Sequence, residues 1–451
     1  MAHLGGGRRA FALRHPTQVV VVAFATVVAV GAVLLSLPAA SETGRGTELI
    51  TALFTATSAV CVTGLTIVST PEHWSTFGEV VILGLFQVGG FGIMALASLL
   101  GLLVIRRMPM RMQLSAQTET KSLGPGDVRR VLAGVAGASV LFEAVTAAFL
   151  TVRLWWAYGE PLGHAVYLGI FHGVSAFNQA GFVLFPNSLA RFVTDPWITL
   201  PVAVAVISGG IGFPVLMQLR RHLARPGHWS LHAQITIGTT VVLLALSTLA
   251  VTAGEWSNSA TLGRFGVPGK LLAGFFNATM SRSAGLSTVD VGDMHPVTWF
   301  ALDVFMFIGG GSASPAGGIK VTTFALLAFV ILAEVRGERS VHVLGRRLPA
   351  SVQRQALTIA LLSVALVVTC TLVLLSITPF DLDRVLFESV SAFGTVGLST
   401  GITAQLPRAG TLMLTVVMFA GRVGPITVAS ALALHERTRR YELPEERPIV
   451  G

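Results

Sequence analysis

Charged side chains make up only 12% of this 451-residue chain, about half the ~25% usual in a soluble protein. Length alone would suggest roughly three soluble domains, but there is too little polar surface to clothe them. The longest plainly polar stretch, Arg106–Arg130, is too short for a soluble domain of its own. Cysteine is nearly absent. Cys61 and Cys370 lie in apolar runs and supply neither a disulfide framework nor metal-ligand spacing. A phosphate loop is also lacking, because in Gly317-Gly318-Ile319-Lys320 an isoleucine separates the glycine from the lysine. With no paired His or Cys set and no Ser/His/Asp arrangement, the sequence offers no enzymatic chemistry, no nucleotide site and no covalently bound cofactor.

What the chain has instead is hydrophobicity, at 53% of residues and a mean hydropathy of +0.73. The apolar residues fall in runs of about 20, the length a helix needs to cross ~30 Å of hydrocarbon. Eight spans are read, at His15–Pro38, Phe77–Ile105, Val131–Trp156, Thr199–Leu219, Ile235–Gly254, Trp299–Glu334, Ala356–Ile377 and Leu412–His435. The first is too long in its apolar stretch for a cleaved signal peptide. Most of the 31 Lys and Arg residues fall on one side of such a layout. The positive-inside rule then puts both termini in the cytoplasm. That distribution explains the formal charge of +9 by topology and lipid headgroups; the bilayer is the expected partner and nucleic acid is not.

Between each odd span and the next even one lies an apolar stretch too short to cross twice. These stretches share a register: Phe54, Ser58, Gly64 and Leu65; Phe171, Ser175, Gly181 and Phe182; Phe275, Thr279, Gly285 and Leu286; Phe387, Ser391, Gly397 and Leu398. The four glycines recur at intervals of about 110 residues, which marks one structural unit used four times. A second glycine signature follows each of the four, beginning at Gly89, Gly209, Gly309 and Gly421. Gly89, Gly209 and Gly212 also suit close helix packing.

Irregular backbone at membrane depth survives only where it lines water or is buried in protein. A short re-entrant helix ends there with its partially negative terminus. The loop after it exposes carbonyls, which glycine can aim at an axis. Four such units would form a ring able to replace the hydration shell of a monovalent cation. The expected fold is therefore an all-α membrane protein: eight transmembrane helices with four re-entrant pore helices, in fourfold pseudo-symmetric repeats around one central pore. The competing reading, a sodium-coupled secondary transporter of another small solute, usually employs inverted pairs of repeats; here all four are parallel.

Three cations fall at membrane depth, each costly there and so a functional candidate. Arg422 is expected to repel ions below the loops or pair with a polar loop. Lys320 is expected to snorkel to the cytoplasmic side. Arg282 is expected to turn behind the loops toward carbonyls or an acid. Glu388 suits either a helix cap or cation attraction, Asp381 and Asp383 suit caps or vestibule charges, and Asn178 and Gln179 suit added polar contacts beside Gly181. The run Gly309–Gly318, with Pro315, cannot hold a helix.

The loops Val62-Thr63-Gly64-Leu65, Ala180-Gly181-Phe182, Ala284-Gly285-Leu286 and Val396-Gly397-Leu398 resemble the filter loops of the Ktr/Trk/HKT superfamily of potassium transporters. Met306–Val321 resembles that family's broken third-repeat helix, and Met418–Pro425 its fourth-repeat helix. The short leader before the first span is similar to the KtrB branch. The resemblance covers about residues 15–435. It implies a selectivity filter at Val62, Thr63, Gly64, Ala180, Gly181, Ala284, Gly285, Val396 and Gly397, with potassium as the transported ion. It implies a gate at Gly309, Gly310, Gly311, Ser312, Pro315, Gly317, Gly318 and Arg422, although Gly311 and Pro315 stand in a region often richer in Ser and Thr. In the plant branch a Ser in the first loop accompanies sodium transport, and Gly64 is not Ser. The resemblance further implies a cell-membrane homodimer on a cytoplasmic ring of nucleotide-binding, KtrA-like regulatory subunits; sodium as coupled ion or modulator stays open. The organisation expected is a cytoplasmic segment 1–14; repeats 15–106, 107–222, 223–336 (with a gating loop at 309–318) and 337–436; and a tail 437–451.

Overall fold

The computed structural model describes residues 16–106, 125–223, 225–338 and 340–424. The expected amino-terminal segment, most of the loop after the second span, the second half of the eighth span and the carboxy-terminal tail lie outside the described residues.

Four successive segments carry the same order of elements: a long helix, a short buried helix, an irregular loop and a further helix. They are α1 Pro16–Ser36, α2 Leu49–Val60, the short α3 Thr70–His73 and α4 Thr76–Arg106; then α5 Pro125–Tyr158, α6 Leu162–Asn178, α7 Pro196–Ile211 and α8 Phe213–His222. The third set is α9 Leu231–Gly254, α10 Val267–Met280, α11 Pro296–Phe307 and α12 Val321–Val335; the fourth is α13 Ala350–Ile377, α14 Leu382–Gly394 and α15 Arg408–Val423. A small antiparallel hairpin pairs His342–Val343 with Arg346–Arg347 between α12 and α13.

Among the described residues, four helices are individually long and apolar enough to cross a membrane, and five if α7 and α8 form one span. The other expected spans are carried by shorter or interrupted helices. α7 and α8 meet at 104°, within the span expected at Thr199–Leu219 with its glycine-rich middle. The break falls at Gly212, whose φ of +92° suits glycine. α15 ends in the same way at Gly424, with φ +93°, three residues after Gly421 as Gly212 follows Gly209. In the third segment the interruption is an entire loop, 308–320. In the first, α4 runs on past Gly89 and Gly92 without a break.

The outer faces of the long helices are apolar. Leu357, Leu361, Val364, Val368 and Leu372 stand exposed along α13, as do Leu141, Val145, Phe149 and Val152 along α5. These residues recur at helical spacing, as hydrocarbon-facing stripes do. The short helices lie inside. α2, α6, α10 and α14 bury their carboxy-terminal halves almost completely. Phe54, Phe171 and Phe387 are fully buried. In the third segment the equivalent anchor is Phe276, 0% exposed, and not Phe275 as the register suggested. That loop is one residue tighter: Ala284 N–H and Gly285 N–H both donate to Met280 O.

Candidate ion pathway

Each short helix ends in a left-handed turn. The residues two before the glycines, Val62, Gln179, Ser283 and Thr395, have φ of 56°, 61°, 110° and 46°. The glycines themselves have φ of 88° (Gly64), 73° (Gly181), 61° (Gly285) and 93° (Gly397). Two positive φ values in one short loop reverse the chain, and a β-branched Val or Thr adopts one only at a cost of ~1–3 kcal/mol. The surroundings hold the turn in place. Thr63, Ala180 and Val396 N–H groups donate to the Ser58, Ser175 and Ser391 carbonyls. Gly64 and Gly397 N–H groups donate to the Ser58 and Ser391 hydroxyls at 3.0 and 3.1 Å. In the second loop the Ser175 hydroxyl instead donates to Phe182 O at 2.9 Å.

The four loops close into a ring. A Cβ built on Gly64 would lie 2.7 Å from Ala180 O, and one on Gly181 would lie 3.1 Å from Ala284 O. On Gly285 it would collide with Val396 O, and on Gly397 with Thr63 O. The carbonyl one residue before each glycine thus abuts the glycine of the adjoining loop, and the fourth loop returns to the first. Side chains of Val62, Thr63, Ala180, Ala284 and Val396 are buried behind this backbone. The ring floors an open basin of about 510 Å³ that all four glycines line, with Ser287, Asp290, Asp293 and Ser399 on its walls.

A side chain from within three of the short helices fastens the strand leaving the ring. His172 Nε2 accepts Leu184 N–H at 3.2 Å, Asn277 Oδ1 accepts Thr288 N–H at 3.2 Å, and Glu388 accepts Thr400 N–H at 2.9 Å. Glu388 also accepts from the hydroxyls of Ser399 and Thr403, both at 2.6 Å. It sits in the middle of α14, so it is not a helix cap. His172, Asn277 and Glu388 went unnoticed as a set in the sequence. The available signal was a polar residue directly after the buried Phe in each stretch.

Asn178 points away from the ring. Its Nδ2 donates to Gln87 Oε1 at 2.7 Å and to Glu143 Oε1 at 2.9 Å, forming a polar network behind α6. Gln179 donates to Val206 O at 2.9 Å. The expectation that both add contacts beside Gly181 is corrected for Asn178, whereas Gln179 makes its polar contact from within the loop itself.

The second glycine signature allows close approach. A Cβ on Gly89, Gly209 or Gly421 would strike the carbonyl of Val60, Phe177 or Phe393, each four residues before a ring glycine. Gly309 differs and backs onto Gly317 O within its own loop.

That loop, 308–320, is largely buried and hydrogen-bonded within itself and to its neighbours. Ile308 and Ile319 bridge in parallel, Gly309 N–H donates to Ile319 O at 2.8 Å and Gly311 N–H to Gly210 O at 2.7 Å. Ser312 and Thr322 hydroxyls lie 3.2 Å apart. Gly317 N–H reaches Ser283 Oγ at 3.4 Å, and the same hydroxyl donates to Thr395 O at 3.1 Å. A Cβ on Gly317 would collide with Thr395 Oγ1, and one on Gly318 would lie 3.3 Å from Gly394 Cα. The loop thus lies directly against the third and fourth ring segments. Arg422, 5% exposed, donates to Pro315 O and, at 2.9 Å, to Gly89 O. Lys320 does not snorkel; its ammonium donates to Ala316 O. Arg282 donates to Thr240 O at 3.2 Å and Gly309 O at 3.3 Å, choosing carbonyls and no acid.

The sequence model of the family described as TrkH, cation transport protein, matches residues 6–441. The chain is 36% identical over 437 residues to Ktr system potassium uptake protein B of Bacillus subtilis (strain 168), across 97% of each. It is 34% identical over 446 residues to Ktr system potassium uptake protein B of Vibrio alginolyticus, covering 99% of this chain and 97% of that one. The potassium transporter TrkH from Vibrio parahaemolyticus superposes with a TM-score of 0.72 at 19% identity, over 95% of this chain and 86% of its own. At that identity the likeness speaks to the fold.

Proposed function

This chain belongs to the TrkH family of cation transport proteins, and from that premise we propose that it is the ion-translocating subunit of a potassium uptake system. It is a helical, multi-pass membrane transporter of the Ktr/Trk kind, and potassium is its cargo. The closed order of carbonyls, in which Thr63, Ala180, Ala284 and Val396 each abut the adjoining glycine, carries the reading of how the ion passes. We read this ring as the selectivity filter. An ion shedding water at the basin floor would exchange it for backbone oxygens. The family of glycine-lined loops, recurring through 15–106, 107–222, 223–336 and 337–436, supports four pseudo-symmetric pore repeats with eight spans and four re-entrant helices.

Below the ring, we assign the gate to the loop at 309–318 and Arg422. The burial of this loop against Thr395 and Gly394 supports that role, as does the guanidinium holding Pro315 O. A fixed positive charge next to the path adds an electrostatic barrier to the steric one. The Ktr-system names of the relatives support operation in a complex with a regulatory subunit. We extend this to a homodimer in the cell membrane, with both termini in the cytoplasm, docked on a ring of nucleotide-binding, KtrA-like subunits.

Flux into liposomes, comparing potassium, rubidium and sodium, tests the reading. The expected order is potassium and rubidium well above sodium, with no dependence on an organic solute. Flux of sodium equal to potassium, or flux that requires an organic solute, rejects it.

A further inference from the structure

Behind the ring lies a small cavity of about 20 Å³, lined among others by Gln179, Gly210, Thr240, Arg282 and Gly310. Among the described residues, three buried polar atoms of lining residues lack a hydrogen-bond partner: Gln179 Oε1, Thr240 Oγ1 and Arg282 Nε. Gln179 is 2% exposed, Thr240 8% and Arg282 9%. Their remaining polar atoms are engaged elsewhere. Gln179 Nε2 donates to Val206 O, while the Arg282 terminal nitrogens hold Thr240 O and Gly309 O. Among the described residues Arg282 forms no ion pair.

One donor, one acceptor and one hydroxyl around a single small cavity meet the requirements for a buried water. Such a site needs roughly 10–15 Å³ and two to four polar partners. The volume leaves no room for a larger ligand. Leaving three buried polar groups unpaired would be costly, and one water relieves all of them.

The elements around the cavity give it significance. Gln179 is the left-handed residue two before Gly181, in the second loop. Arg282 precedes Gly285 in the third loop. Gly309 and Gly310 form the root of the intramembrane loop. Thr240 comes from the middle of α9.

We propose that this cavity binds one structural water, which accepts the Arg282 Nε–H, donates to Gln179 Oε1 and shares a hydrogen bond with Thr240 Oγ1, and that this bridge couples the second filter loop to the root of the gating loop. Arg282 is thus a positioning residue: one face holds the Gly309 carbonyl, the other steadies Gln179 through water. Withdrawal of the loop would pull on Arg282 and disturb the carbonyls beside Gly181. The coupling rests on the filter-and-gate reading above, whereas the water site does not.

The test has a structural and a functional arm. A high-resolution map of the intact protein should hold density within hydrogen-bond distance of Arg282 Nε. That density should vanish in Thr240→Val and persist in Thr240→Ser; no density in the parent overturns the site. In liposomes, with flux divided by reconstituted protein, Thr240→Val and Gln179→Leu should each lower the rubidium-to-sodium flux ratio about fivefold, the size of one lost hydrogen bond. The double variant should fall no further, because both lose the same water. Thr240→Ser should match the parent, which a packing defect at the site would not predict. Gly64→Ser serves as reference. If it lowers the ratio while Thr240→Val and Gln179→Leu do not, or if their effects add, the bridge is wrong and the filter stands. If Gly64→Ser leaves the ratio unchanged as well, the filter reading falls and takes the coupling with it, and the water is judged on the density alone.

Discussion

Replacing Gly64 with serine tests the proposed role of the carbonyl ring as a filter. Gly64 has φ +88°, a left-handed conformation that costs an L-residue roughly 1–2 kcal/mol. Its new Cβ would lie 2.7 Å from both Ala180 O and Gly181 Cα. Those are backbone atoms of the adjoining loop and cannot rotate aside as a side chain would. The first and second loops must therefore separate. The displaced carbonyl is Ala180 O, one of the four that close the ring. Adding the contact to the backbone term gives a strain on the order of 2–3 kcal/mol. If all of it appears as weaker potassium coordination, the preference over sodium falls by about 30- to 140-fold; relaxation of the loops makes that range an upper bound. The assay is rubidium against sodium flux in liposomes, normalised to reconstituted protein. Gly84→Ala serves as control, because a Cβ there meets nothing within 4 Å and alanine favours a helix by up to ~1 kcal/mol. A Gly64→Ser protein whose flux ratio stays within about twofold of the parent would refute the reasoning, since a shift below ~0.4 kcal/mol is far less than the strain. Equal losses in Gly84→Ala would point to general damage.

Shortening the loop within Gly310–Gly317, or Arg422→Ala, is expected to raise normalised flux and loosen its dependence on the regulatory partner; unchanged or lower flux in both variants removes the gate. The isolated protein is expected to run as a homodimer in mild detergents, and molar-mass measurement that finds only monomers in several of them counts against that assembly. Glu255, just beyond α9, links that helix to α11 by accepting from Thr298 Oγ1 at 2.5 Å and His295 N–H at 2.9 Å. Burial pushes its carboxyl up, but hydrogen bonds from Thr261, Thr298, His295 and Asn258 outweigh this and hold it below the usual carboxylate value. A depressed pKa contributes stability above the ordinary carboxylate range and loses it as pH falls through the depressed value. Thermal stability should accordingly decline on acidification below about pH 4, with a flatter acid limb in Glu255→Gln; identical limbs would dismiss the role of this carboxyl.

The ring glycines were legible because a backbone requirement repeated four times leaves the same residue at the same place. The polar residue after each buried Phe was less visible, because the register fell on Phe275 in place of Phe276, and His172, Asn277 and Glu388 share no side-chain chemistry and so formed no pattern. What they share is a task, accepting one backbone N–H, which any of several side chains performs. The left-handed positions Val62, Gln179, Ser283 and Thr395 were hidden for the opposite reason. Neighbouring hydrogen bonds impose that conformation on residues whose own preference opposes it. The partners of Arg422 and Arg282 are main-chain carbonyls, which leave no mark on side-chain identity. The bend at Gly212 and the uninterrupted passage of α4 through Gly89 and Gly92 make the same point: a glycine permits a break, and tertiary contacts decide whether one forms. At Gly212 the Phe213 N–H leaves the helical pattern to donate to Ala313 O at 3.4 Å, a contact the first segment has no equivalent loop to offer.

Closure of the ring governs the order of biogenesis. Gly397 packs on Thr63, and Arg422 reaches a carbonyl 333 residues upstream. Chains leave the ribosome amino terminus first, at about 5–20 residues per second, so three quarters of the ring wait about 6–22 seconds for the fourth. Any ribosome that stalls before residue 397 releases a product with an open-sided ring and no Arg422 to hold Pro315. The contact that completes the carbonyl ring therefore forms last: a closed ring exists only in a chain made at least as far as residue 397.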